Sequence, residues 1–199
     1  MAGVLVFGDV QSGKLQPASY ELMTIGLSVA ASLGSDVNGA LVGSGINDEA
    51  QSFAAAGMSK LYLIDDLQLA TYQGDAYVAA AVALIKEISP DVVILPHSSD
   101  SLEWVPRLAA RLDVGLVTSC TGLTVVDGEL TVTKPICGGV VMAEYTFSKS
   151  LKMVTVAAGS VAPAPQGGVA PIQQISIGNV ASSVQVIETV VEDSGDGPS

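Results

Sequence analysis

Charge is scarce in this chain and positive charge scarcest: Asp, Glu, Lys and Arg make up 14% of 199 residues, with 20 acids against 8 bases and a net charge of −12. That balance excludes a nucleic-acid surface, because neutralising phosphates takes clustered Lys and Arg. Histidine occurs once, at His97, and cysteine twice, at Cys120 and Cys137, with no CxxC and no neighbouring His. A metal centre therefore lacks its ligand spacing, and both cysteines read as free thiols buried in a core. No apolar run reaches the length of a membrane span. The opening MAGVLVFG enters a strand without a basic leader or a cleavage site, so the chain reads as cytoplasmic.

What is present is apolar: 49% of residues are hydrophobic, in a length that suits one domain with a sizeable core. This is more apolar than a lone soluble monomer needs, which points to a burial partner. The last base is Lys152, while Glu188, Glu192, Asp193 and Asp196 crowd the end. Residues 1–187 are therefore expected to form the α/β domain and 188–199 an acidic linker or tail.

The stretch VFGDVQSGKLQPASYE, residues 6–21, imitates a phosphate-binding loop through Gly8-x-x-x-x-Gly13-Lys14. A working loop needs a Ser or Thr after the Lys and a helix starting there, to present a metal ligand and N-terminal amides. Leu15, Gln16 and Pro17 follow instead. Proline favours the first helical position, so the helix is expected to begin near Pro17, with Glu21 in its first turn and Lys14 in the loop ahead of it.

Strand and helix signals alternate through the first half. GVLVFG (3–8) precedes a helical pattern over 17–33; VNGALVG (37–43) precedes NDEAQSFAAAG (47–57), opened by an Asn cap. KLYLID (60–65) leads to an alanine-rich helix around 75–88, and DVVILP (91–96) leads to DSLEWVPRLAARLD (100–113). Such spacing predicts βαβ units and a doubly wound, mainly parallel sheet. After residue 114 strand signals run on without helices, through GLVTSC, a hairpin turn at Val125-Val126-Asp127-Gly128-Glu129, and VQVIETVV (184–191), which predicts an antiparallel β extension. APAPQGGVAP (162–171) reads as a Pro/Gly loop.

In open α/β sheets ligands bind beyond the carboxyl ends of the strands. That rule selects the loops GDVQSG, GSGIND, PHSSDS and TSCTG, and within them Gly8, Asp9, Ser98, Ser99, Asp100, Thr118 and Thr121 as contacts for a nucleotide, if these loops hold one. GSGIND lacks the third Gly of a dinucleotide fingerprint, so Gly43 and Gly45 read as turn residues. A Ser-His-Asp set is imaginable around His97, but adjacent residues do not face one another as nucleophile, base and orienter. SSDS is better read as a helix cap, with Ser99 or Asp100 at the cap and Glu103 in the first turn. Trp104 with Arg107 or Arg111 stands at helical spacing: either an aromatic packed over an Arg stem or, more sharply, an anchor for a partner.

SLEWVPRLAARLDVGLVTSCTGL (101–123) resembles GRDLAPRLAARLDVGLVTD, a segment typical of the electron transfer flavoprotein alpha subunit. GVLVFGDVQSGKLQPASYELMTIGLSVA looks like that family's first strand, loop and Glu-bearing helix, and KPICGGVVMAEYTFSKSLKMVTVAAGSVAP (134–163) looks like its RPIYGGNA…KVVTVRPGAF. Three segments in the right order are spread over most of the chain. The resemblance implies an N-terminal domain with an adenine-nucleotide-hydrolase-like fold that pairs with a beta subunit. It implies FAD held mainly by a C-terminal domain, in cis or in trans, AMP in the beta partner, and electrons arriving from dehydrogenases such as acyl-CoA dehydrogenases. On that reading this chain is a scaffold and docking domain with no catalytic residue of its own and no cofactor alone; an independent adenine-nucleotide-binding module is the rival. The sequence departs from the pattern where SDSLE replaces Gly-Arg, where Ser119-Cys120 replaces an Asp, and where Ala157 replaces the Arg of TVRPG.

Overall fold

The computed structural model describes residues 3–178 and, beyond them, 182, 184, 186–188 and 190. Along the chain run β1 (Val4–Phe7), β2 (Val10–Gln11), β3 (Lys14–Leu15), α1 (Ala18–Leu33), β4 (Val37–Gly43), α2 (Asn47–Ala54), β5 (Lys60–Asp65), α3 (Gly74–Ile88), β6 (Val92–Pro96) and α4 (Ser99–Leu112). They are followed by β7 (Leu116–Cys120), β8 (Gly122–Val126), β9 (Glu129–Ile136), β10 (Val141–Tyr145), β11 (Lys152–Val156) and β12 (Ile172–Gln174). Seven strands form one sheet in the order β12-β5-β4-β1-β6-β11-β7, every pairing parallel.

β1 explains the layering. All four of its residues are apolar and buried, as a strand covered on both faces requires. Val4 and Val6 point into the core shared with Leu22, Met23 and Ile25 of α1 and Phe53 of α2, while Leu5 and Phe7 point into the core shared with α3 and α4. The chain winds outward from β1 through α1 and α2 to β4 and β5, then crosses by α3 to β6 on the other side. The strand order therefore reverses between β1 and β6. A crevice at the carboxyl ends of these two strands results from that reversal.

β8, β9 and β10 make a separate antiparallel sheet. Asp127 and Gly128, with φ of 52° and 80°, form its two-residue turn, the left-handed pair that a tight hairpin demands. Leu130 and Val132 of β9 are buried and join the core on the α1 side, together with Leu123 and Val125 of β8.

Several expectations need correction. The antiparallel extension does not take in everything after residue 114: β7 and β11 are parallel strands of the main sheet, with β11 inserted between β6 and β7. Asn47 is not the cap of α2. Asp65, at the end of β5, accepts the backbone N–H groups of Gly45 and Ile46 and, at 2.6 Å, the Asn47 amide, so a distant carboxylate does the capping. α4 is capped by Ser98, one residue ahead of the expected Ser99 and two ahead of Asp100, in a reciprocal box with Ser101. The Pro/Gly loop ends in an unforeseen edge strand, β12, after its amides at Gly167, Gly168 and Ala170 bond to the carbonyls of Ala54 and Ala55. Cys120 is buried but Cys137 is exposed. The strand signal at 184–191 falls partly outside the described residues, and Val184, Val186 and Ile187 carry no strand.

Candidate functional site

The loop after β1 is pinned before it can serve anything else. Gly8 allows close packing there, since a Cβ would lie 2.5 Å from the Leu41 side chain and 3.0 Å from that of Leu15. The β2–β3 hairpin is clipped to α2 by Glu49, which accepts from Lys14 Nζ at 2.9 Å and from Leu15 N–H at 3.2 Å. Lys14 is thus the ion-pair partner of a helix carboxylate, and α1 starts at Ala18 after Pro17.

Asp9 is then held by its backbone, with its N–H on Ser19 Oγ at 2.9 Å and its carbonyl taking Gln16 N–H at 2.8 Å. The residue is 8% exposed, and its carboxylate accepts from Gln11 Nε2 (2.9 Å) and Ser98 Oγ (3.2 Å). Burial pushes the Asp9 carboxyl above the usual range, against the lowering effect of those two hydrogen bonds.

His97 follows β6. Its Nδ1 lies 3.0 Å from Thr155 Oγ1, which also accepts the N–H of Ser119 at 3.0 Å. Ser119 has φ 56° and sits where the β7–β11 register shifts, so the bulge aims this amide. Burial first, and the Lys134 ammonium second, hold the imidazole below its ordinary pKa and therefore neutral near pH 7. Ser98 Oγ bonds Asp9 and not His97, so no nucleophile–base–orienter chain exists here.

Asp9, His97 and Ser98 line a cleft of about 260 Å³ at the carboxyl ends of β1, β6 and β11, bounded also by Pro17, Glu21, Leu22, Pro96, Val156 and Ala157 among others. A second cleft, about 370 Å³, lies on the other side of the β1 loop and includes Ser12, Gly43, Ser44, Tyr72, Tyr77 and Asp100. Of the seven nucleotide contacts proposed from the sequence, Asp9 and Ser98 meet in the first cleft and Asp100 lines the second. Ser99 and Thr121 are exposed, Gly8 serves packing, and Thr118 Oγ1 accepts from Lys134 Nζ at 3.1 Å. Glu21, Leu22 and Ala157 were not foreseen as lining residues. The carboxyl-end rule reaches Ala157 once β11 is counted in the parallel sheet, but nothing local marks that membership.

Trp104 is not on the surface with its neighbouring arginines. It is 6% exposed and packs on Phe7 and Tyr77, with ring centroids 6.0 and 6.1 Å away. Arg107 pairs with Asp75 and with Glu103, whereas Arg111 is exposed near the end of α4. Among the described residues no group of three His, Cys, Asp or Glu could hold a metal ion, and no helix is long and apolar enough to cross a membrane.

The family model for the electron transfer flavoprotein domain matches residues 4–179. This chain belongs to that family. It is 30% identical over 191 residues to the electron transfer flavoprotein subunit alpha of Syntrophomonas wolfei, covering 96% of this chain and 55% of that protein. It is 33% identical to the subunit alpha of Megasphaera elsdenii, over 71% of this chain and 43% of that protein. A lactate dehydrogenase (NAD(+),ferredoxin) subunit, LctC of Acetobacterium woodii, is 24% identical over 97% of this chain and 48% of its own length. The chain thus spans about half the length of these relatives.

The family name implies a flavin, and the first cleft does not suit one. A dinucleotide pyrophosphate calls for backbone N–H groups or cations, whereas Asp9 and Glu21 both line this cleft and none of its lining residues is a Lys or Arg. Ala157, standing where the family pattern has Arg, lines it too. The same carboxylates oppose a phosphate-first nucleotide.

Proposed function

We propose that this chain is the N-terminal docking domain of an electron transfer flavoprotein alpha subunit, a scaffold without catalytic residues. It pairs with a beta subunit and supports FAD-mediated electron transfer from dehydrogenases, acyl-CoA dehydrogenases among them. FAD sits mainly on a flavin domain supplied in cis or in trans, AMP in the beta partner, and the assembly works in the cytoplasm, with residues 188–199 as the acidic linker. Family membership supports the electron-transfer role. The observation that carries the docking role is the β10 arm. Val140, Val141, Met142 and Tyr145 are 86, 46, 54 and 38% exposed, a cluster of large apolar side chains on a free sheet edge.

Cross-strand pairing places Val141 and Tyr145 on the face of Val132, and Met142 on the other, so the arm offers apolar groups to both sides. Arg111 adds an exposed cation on α4 for a partner carboxylate. The test is co-purification of this chain with a co-expressed beta subunit, for wild type and for Val141→Lys with Met142→Lys. The reading predicts a stable complex for wild type and at least tenfold weaker association for the variant, with unchanged far-UV circular dichroism. Equal association of the two proteins would refute it.

A further inference from the structure

The cleft at the carboxyl ends of β1, β6 and β11 has a chemistry that docking through β10 leaves unused. Asp9 enters it from the β1 loop and Glu21 from the first turn of α1, and the lining also includes Pro17, Leu22, Pro96 and Val156. Each Asp9 oxygen receives one neutral donor, Gln11 Nε2 on Oδ2 and Ser98 Oγ on Oδ1, and Glu21 Oε2 receives Gly159 N–H at 2.6 Å. An ionised carboxylate accepts about four hydrogen bonds, so both groups keep acceptor capacity. No Lys or Arg lines the cleft, and His97 is engaged through Nδ1 with Thr155. The N-terminus of α1 offsets roughly half a charge, against two formal negative charges. The cleft therefore combines apolar walls with an acidic lining that contains no cation; Lys134, which acts on His97, is held on Thr118 Oγ1 and is not among the lining residues.

We infer that this cleft takes a cation on an apolar stem, an arginine or lysine side chain of a partner protein, with its head on Asp9 and Glu21 and its methylenes against Pro17, Leu22 and Val156. The cleft of about 260 Å³ suits one long side chain and falls below the roughly 300 to 1,000 Å³ of common small-molecule sites. Guanidinium is the better head, because its planar fork of donors matches carboxylate oxygens. A phosphate group here would meet like charge. The inference holds whether or not β10 docks a beta subunit.

The experiment is a ¹⁵N–¹H NMR titration of the full chain with Nα-acetylarginine N-methylamide, with its citrulline counterpart as the neutral isostere, and with AMP. Saturable shifts are expected at the amides of Ser98, Ala157 and Gly159 with the arginine compound, and about tenfold weaker binding of the citrulline compound. Glu21→Gln and Asp9→Asn should each weaken the arginine compound about tenfold. Ala157→Arg, which supplies a guanidinium from the chain itself at this wall, should abolish the response. Glu21→Gln keeps a side-chain oxygen for the Gly159 N–H, so it keeps the test open if Asp9→Asn does not fold. The absence of any saturable shift, equal binding of the citrulline compound, or AMP saturating the cleft in its place would each overturn the inference.

Discussion

The two β layers of this chain are built from similar residues and treated in opposite ways. β1, β4, β6 and β11 are apolar runs buried on both faces by two helical layers. β10 is also mostly apolar, Val-Met-Ala-Glu-Tyr, yet four of its five residues are exposed. For β1, β4 and β6 the difference lies in the connection that leaves each strand, whereas β11, which leaves into the Pro/Gly loop, is buried by its insertion between β6 and β7. A strand leading into a helix is covered by that helix on its return, while a strand reached through tight turns is covered only if a neighbour lies over it. α1 covers β8 and the first part of β9, and the sheet then runs past the helix. An apolar strand without a cover leaves an exposed apolar patch, whereas one with two covers is a core.

The comparison can be broken most severely at the centre of the main sheet. Phe7→Ala, at a buried ring against Trp104, is expected to cost about 3–5 kcal/mol. Met142→Ala in the arm should stay within about 0.5 kcal/mol, both read by urea denaturation of the isolated chain. Equal costs would mean that the arm is part of the folded core. Smaller effects are expected from the glycines of each layer. A Cβ at Gly26 would lie 2.5 Å from Val6 Cγ2, so Gly26→Ala should cost about 1–3 kcal/mol by overpacking. Gly128→Ala, with open space around it but φ of +80°, should cost about 1 kcal/mol through backbone strain alone.

The smallest perturbation uses the two thiols. Cys137 is exposed in the turn before β10, while Cys120 is buried at the end of β7 with its thiol pushed up to about 12 by burial. A thiol reagent at a mildly alkaline pH should modify one cysteine per chain rapidly and the second only with denaturant, as quantified by intact mass. Rapid modification of both would show that the end of β7 opens in the native state.

Legibility divides along the same line. The βαβ alternation could be read because each unit is local: β1 through α4 announce themselves by runs of β-branched residues and a proline at a helix start, and the later hairpin by its Asp-Gly. What escaped was set by residues distant in the chain. Asp65 caps α2 from the end of β5, β11 enters the sheet between β6 and β7 after a long excursion, and Trp104 turns inward onto Phe7 because α4 lies over β1 and β6. Asp9 and Ser98 were both selected by the carboxyl-end rule, but their bond was not, since 89 residues separate them.

The alternation of elements, the parallel sheet and the family could all be read from the chain unfolded on the page, because periodicity and extended segment matches are properties of neighbouring residues. Which apolar strand is core and which is arm came from the folded molecule alone. So did the meeting of two carboxylates from different elements in one cleft without a cation of their own, because burial and charge balance depend on which distant groups the fold brings into contact.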